Sequence, residues 1–167
     1  MNTLHNPLPA LVGLALALLL GGCVYEVPLT EEASVPIDPA LLGTWTLTET
    51  DNPAKTLTVV ITRLSDTEYV VATTTYAEKI QCYRAWPVEL DGVRYLQLQL
   101  LYDGNPDLPA QIYLVGQLSL DGDQLALSLL TLKRHDTSSE DFRQALRENL
   151  GQPDLFKPVY TGLRASS

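Results

Sequence analysis

Leu114-Val115-Gly116-Gln117-Leu118-Ser119-Leu120-Asp121-Gly122-Asp123-Gln124-Leu125-Ala126-Leu127-Ser128-Leu129 reads as two strands and the turn between them. On either side of the turn, every second residue is leucine or, once, glycine, and polar or small residues fill most positions between. A period of two is that of a strand, whose successive side chains point to opposite faces; a helix would scatter these leucines around its whole circumference. Asp121-Gly122 tolerates the positive φ that a tight hairpin turn needs.

Outward from this hairpin the same grammar repeats. The first strand extends back to Gln111 and the second forward to Leu132. Upstream, Gly92–Tyr102 sets Leu96, Leu98 and Leu100 against Gln97 and Gln99, and Asp91-Gly92 joins it to Lys79–Leu90. In that run Pro87 predicts a bend or bulge, because proline cannot donate to a ladder. Glu68–Tyr76 is rich in Val, Thr and Tyr, Lys55–Leu64 puts Leu57, Val59 and Ile61 on one face, and Thr44–Thr50 alternates around Trp45 and Leu47. Phe156–Arg164 supplies an eighth strand. Strands about ten residues apart with short turns predict an all-β fold, an antiparallel up-and-down meander. About eight strands remove their exposed edges by closing into a barrel.

One helix interrupts the series. Thr137-Ser138-Ser139-Glu140 has the form of a capping box, Phe142, Ala145, Leu146 and Leu150 follow at helical spacing, and Gly151 supplies the stop. Its apolar stripe is narrow, which predicts a helix lying on the outside of the barrel or covering one end.

If the Trp45 face points inward, the interior is lined by Leu47, Leu57, Val59, Ile61, Leu96, Leu98, Leu100, Leu114, Leu118, Leu125 and Leu127, with Gly116 leaving room among them. Such a lining suits either a packed core or an apolar guest such as an acyl chain. Tyr69, Tyr76, Tyr83, Tyr95, Tyr102 and Tyr113 recur along the strands, and those facing outward offer a surface for another protein.

The start of the chain is an address. Residues 1–22 carry no Lys, Arg, Asp or Glu, and Leu8–Leu20 is an almost unbroken apolar run, too short to span a bilayer and of the length of a signal-peptide core. Met1–Pro7 lacks the basic residues usual there. Leu20-Gly21-Gly22-Cys23 resembles the lipobox of bacterial lipoproteins. The resemblance implies cleavage before Cys23, a diacylglycerol on its thiol and an acyl chain on its new amine. Val24 in place of aspartate implies, by the sorting rule of enteric bacteria, the outer membrane, facing the periplasm. Residues 23–38 hold Pro28, Pro36, Glu26, Glu31, Glu32 and Asp38 and read as an acidic tether, leaving 39–167 as the folded domain.

Leu41-Leu42-Gly43-Thr44-Trp45 opens the first strand, and Gly43-x-Trp45 there resembles the signature of lipocalins and related small barrels. In those proteins the tryptophan plugs one end of the barrel and a late arginine packs across it; here the tryptophan is Trp45 and the arginine is Arg164 or Arg134. The pattern as a whole is similar to the small lipocalin-like lipoproteins of Gram-negative bacteria, although a helix before the last strand departs from the usual lipocalin order.

Composition narrows the chemistry. Of 167 residues, 11 are basic and 20 acidic, a net charge of −9, so a basic surface for nucleic acid is excluded. Beyond the signal the sole histidine is His135 at a strand end, and Cys82 the sole thiol besides Cys23, which leaves too few ligands for a zinc or copper site. Cys82 reads as a buried, inert residue of its strand. Asp121-Gly122-Asp123 and Asp103–Asp107 are turns without the spacing of a calcium loop, and the motifs of phosphate binding or nucleophilic catalysis are absent. The sequence therefore points to a non-catalytic protein without metal or cofactor. It is held to a membrane by its lipid and takes an apolar small molecule or lipid in its barrel or, as the alternative, another envelope protein on its outer face.

Overall fold

The computed structural model describes residues 24–75, 77–105, 111–133 and 138–165. Residues 1–22, read above as a signal peptide, lie outside these residues, as do Cys23, Tyr76, Arg134, His135 and Thr137.

Eight antiparallel strands close into one barrel in sequence order: β1 (Gly43–Glu49), β2 (Asn52–Arg63), β3 (Tyr69–Thr75), β4 (Ile80–Leu90), β5 (Val93–Tyr102), β6 (Tyr113–Asp121), β7 (Gln124–Leu130) and β8 (Phe156–Arg164). The up-and-down order puts the β1–β2, β3–β4, β5–β6 and β7–β8 connections at one end, here the lower end. The β2–β3, β4–β5 and β6–β7 turns lie at the upper end. Asp91 and Gly92 have φ of 52° and 79°, so the β4–β5 turn uses the left-handed region that Asp-Gly tolerates. β8 closes the ring against β1, with Trp45 opposite Arg164 and Leu47 opposite Gly162. At Gly162 the strands come so near that a Cβ would overlap the main-chain oxygen of Thr46 and lie 2.7 Å from Cα of Leu47.

The expected bulge falls elsewhere than at Pro87. The β4–β5 register shifts between Cys82 and Tyr83, while Pro87 pairs regularly with Leu96. The β3–β4 ladder ends at Ala85, so at Pro87 the β3 side of the strand has no partner and the missing donor costs nothing there. Cys82, expected to be buried, is half-buried, because its neighbours Tyr83 and Ala85 take the inward positions.

The helix α1 (Ser139–Asn149) lies against the outside of the barrel. Its cap is one residue later than Thr137-Ser138-Ser139-Glu140 suggests: the Ser138 hydroxyl accepts from the Asp141 amide at 3.1 Å, and Glu140 pairs with Arg143 instead. Phe142, Ala145 and Leu146 are fully buried, and Gly151 stops the helix with φ of 94°.

What they bury against overturns the reading of residues 23–38 as a tether. The described part of it, 24–38, is a strap running up the barrel wall. Tyr25 and Tyr113 exchange two main-chain hydrogen bonds of 2.9 Å at the lower end, and the Ile37 amide donates to the Asp66 carbonyl, 2.9 Å, at the upper end. Tyr25, Val27 and Leu29 point inward while Glu26 faces solvent, so this is a strand-like alternation that the prolines and glutamates obscure. With Trp86, Val88, Tyr95, Tyr113, Val115, Leu130 and the helix, they form a second apolar core outside the barrel. Gln97, expected to face solvent, is fully buried beneath the strap. Its Oε1 accepts from the amides of Leu29 (2.5 Å) and Thr30 (3.0 Å), and its Nε2 donates to the Thr30 carbonyl, 3.1 Å. Trp86 Nε1 donates to the Thr30 hydroxyl, 3.1 Å, and Arg143 Nη1 to the Leu29 carbonyl, 3.0 Å. A strap with few ladder partners of its own thus finds partners for its buried amides in side chains.

Candidate functional site: the barrel interior

The upper end of the barrel is plugged. Asp38 caps a single 3-10 turn over Pro39–Leu41 through its carboxylate and the Ala40 amide, 2.9 Å. Trp45 is fully buried beneath that turn and donates through Nε1 to the Leu41 carbonyl, 2.9 Å. Of the two arginines, Arg164 is the one that packs on it, with the guanidinium carbon 4.2 Å from the ring centroid. Its nitrogens also donate to the carbonyls of Leu42 (2.7 Å) and Ala40 (2.6 Å) and to Asp123, 3.1 Å. Gly43 sits at φ of 131°, and a Cβ there would come within 2.8 Å of Arg164 Nη1.

Below the plug the inward side chains enclose a cavity of about 90 Å³. Leu57, Val59, Leu96, Leu98, Leu114, Leu118 and Leu127 line it as expected, with Leu47, Ile61 and Leu125. Leu100 does not: it stands beside the register shift at the lower end and packs half-buried against the core cluster instead. Gly116 does not open the space either. A Cβ there would meet Leu127 Cδ1 at 2.9 Å and Leu129 Cδ2 at 3.3 Å, so the leucines of β7 already fill the gap.

The remaining lining residues, Val71, Thr73, Thr75, Gln81, Tyr83, Leu129 and Tyr160, come mostly from β3 and β4. Their strands were legible, but the mixed Val/Thr/Tyr composition did not declare a phase. The polar ones gather toward the lower end, where Thr75, Gln81 and Tyr160 are half-buried. Tyr83 donates to Gln81 Oε1, 3.1 Å, and burial pushes its phenol well above the ordinary value. Thr73 is the exception to this pairing: its Oγ1 is buried with no hydrogen-bond partner among the described residues.

No charged side chain lines the cavity among the described residues. Of the six strand tyrosines, Tyr69 and Tyr83 belong to the inner core and Tyr95 and Tyr113 to the outer one, while Tyr102 is 53% exposed. Among the described residues no three His, Cys, Asp or Glu side chains are grouped to hold a metal. No helix among them is long and apolar enough to cross a membrane. No family model, curated protein or solved structure matches the chain.

Proposed function

We propose that this is an exported lipoprotein, acylated at Cys23 and held on the periplasmic side of the outer membrane, whose lipocalin-like barrel binds a small apolar molecule or the end of a lipid chain without transforming it. The observation that carries the binding reading is the leucine-lined cavity with the unpaired Thr73 hydroxyl. A buried hydroxyl without a partner is costly, by about 1–3 kcal/mol, and a guest with one acceptor or donor relieves that cost. The Trp45–Arg164 plug supports the lipocalin-like reading, since it pairs the residue types in the places that the Gly43-x-Trp45 resemblance implies. The lipobox Leu20-Gly21-Gly22-Cys23 supports the anchor.

A second reading has the size of the space in its favour. At about 90 Å³ the cavity is smaller than the apolar cavity of ~150 Å³ that accepts benzene. A barrel that small inside also fits an accessory lipoprotein that binds an envelope protein through its outer face. Native mass spectrometry on the 24–167 chain, secreted and purified without detergent, separates the two. A reproducible added mass that organic solvent releases as an apolar compound supports the carrier; a bare mass on both the secreted and the lipid-incubated protein supports the accessory role.

A further inference from the structure

The polar atoms of the barrel lining are gathered on one side. Thr73 and Thr75 of β3 stand beside Gln81 and Tyr83 of β4, and Thr73 is directly opposite Gln81 in the ladder. In a closed ring of eight strands, β3 and β4 look across at β7 and β8. The lining residues there are Leu125, Leu127 and Leu129, with Tyr160 at the lower end. β5 and β6 contribute leucines alone. The cavity thus has one polar wall and, Tyr160 apart, is aliphatic everywhere else.

The hydrogen bonds of that wall leave donors over. Tyr83 gives its proton to Gln81 Oε1, 3.1 Å. What Gln81 then has to offer a guest is its amide nitrogen, which only donates. Thr73 Oγ1 is buried without a partner among the described residues, although directly opposed side chains on neighbouring strands are close enough to interact. One oxygen with two lone pairs and no proton of its own satisfies an O–H and an N–H together, and a carbonyl oxygen is such an atom. A guest hydroxyl would instead bring one more donor to a wall that already has too many. Space sets the size. A cavity of ~150 Å³ accepts benzene, so in proportion one of about 90 Å³ holds about four heavy atoms.

Resting on the reading of the barrel as a carrier, we propose that its guest is a small aliphatic carbonyl compound. The guest oxygen accepts from the Thr73 hydroxyl and from Gln81 Nε2, and its carbon frame lies against the leucines of β5, β6 and β7. The polar wall selects a carbonyl over a hydrocarbon or an alcohol of the same shape, and the leucines set only the size.

The test uses the full chain as cells process it, kept in phosphatidylcholine nanodiscs, with isotope-labelled leucine methyl groups. Acetone, isopropanol and isobutene share one branched frame and differ in carrying a carbonyl oxygen, a hydroxyl or a methylene at the same place. Each is titrated while NMR follows the methyl signals of Leu98, Leu114 and Leu127, with the free guest measured in the same sample. Guests this small bind weakly, so the ratios between them are the readout. The expected result is saturable binding of acetone, about tenfold tighter than isobutene and tighter than isopropanol. Thr73→Val and Gln81→Leu should each remove most of the preference over isobutene, and Thr73→Ser should keep it. Equal affinity for acetone and isobutene, tighter binding of isopropanol, or a preference that survives Thr73→Val overturns the carbonyl assignment and leaves a barrel that takes apolar guests. Signals that none of the three compounds moves overturn the carrier reading and the assignment with it.

Discussion

Arg164 packs over Trp45, and the same guanidinium holds the carbonyls of Ala40 and Leu42, so one side chain ties the last strand to the first and to the turn that caps them both. Arg164→Ala removes the cation–π contact and leaves two carbonyls to find water. We expect a loss of about 1–3 kcal/mol in urea unfolding. Arg164→Lys should recover less than half of it, because a single ammonium cannot lie over the ring and reach both carbonyls. Full recovery by lysine would mean that charge alone matters there.

Leu98→Trp places an indole where Leu98 now borders the cavity. Overpacking should cost about 1–3 kcal/mol and abolish uptake of a fluorescent fatty acid. Unchanged stability and unchanged uptake together would show that position 98 does not face the interior space in solution.

Thr73→Val replaces the unpaired hydroxyl by a methyl group of similar size. The guest-free barrel should gain stability, by up to about 1 kcal/mol, because no partner is lost and a polar group leaves an apolar wall. Affinity for a guest that bonds the hydroxyl should fall at the same time. Thermal unfolding with and without guest measures both, and a destabilised guest-free barrel would reveal that the hydroxyl has a partner after all.

Alkaline pH should weaken the fold. Burial raises the phenol pKa of Tyr69, Tyr83 and Tyr95 above the ordinary value. Below about pH 10 both folded and unfolded chains keep these protons. Above it the unfolded chain releases them while the folded barrel still holds them, so stability falls as pH rises. Urea midpoints between pH 8 and pH 11 follow this, and Tyr83→Phe should flatten the decline.

Gln97→Leu keeps the bulk but strands the amides of Leu29 and Thr30, which the glutamine oxygen now accepts. Each buried amide left alone costs about 1–3 kcal/mol, so the strap should lift before the barrel opens. Hydrogen exchange should quicken over residues 25–33 while the amides of β2 and β3 keep their protection.

The barrel was legible because leucine alternates so strictly through Leu96–Leu100, Leu114–Leu120 and Leu125–Leu129 that strand, phase and inward face follow from one pattern. The observed strands begin and end within three residues of the expected ones, and of the eleven residues placed on the inward face all but Leu100 border the cavity. What was hidden is what depends on contacts distant in sequence. Gln97 alternates like any outward residue, and only a strap from the far end of the chain makes it a buried clamp. Tyr25-Glu26-Val27-Pro28-Leu29 carries the same period of two, too short to read without the wall it covers. Thr73 looked like one threonine of a strand, and its missing partner is a property of the enclosed space.

The closure of β8 on β1 also sets an order of assembly. Until Phe156–Arg164 is in place, β1 and β7 are both open edges, and the close approach at Gly162 allows no side chain to be tried there in its stead. The decisive contact joins the two ends of the domain, so loop-closure entropy must be overcome before closure yields any stability, and folding is slow for a chain of this size. A seven-stranded intermediate offers another copy the same vacant slot that its own last strand should fill. At high concentration the failure to expect is therefore an exchanged dimer, each barrel completed by its neighbour's β8, which size-exclusion of refolded protein would detect.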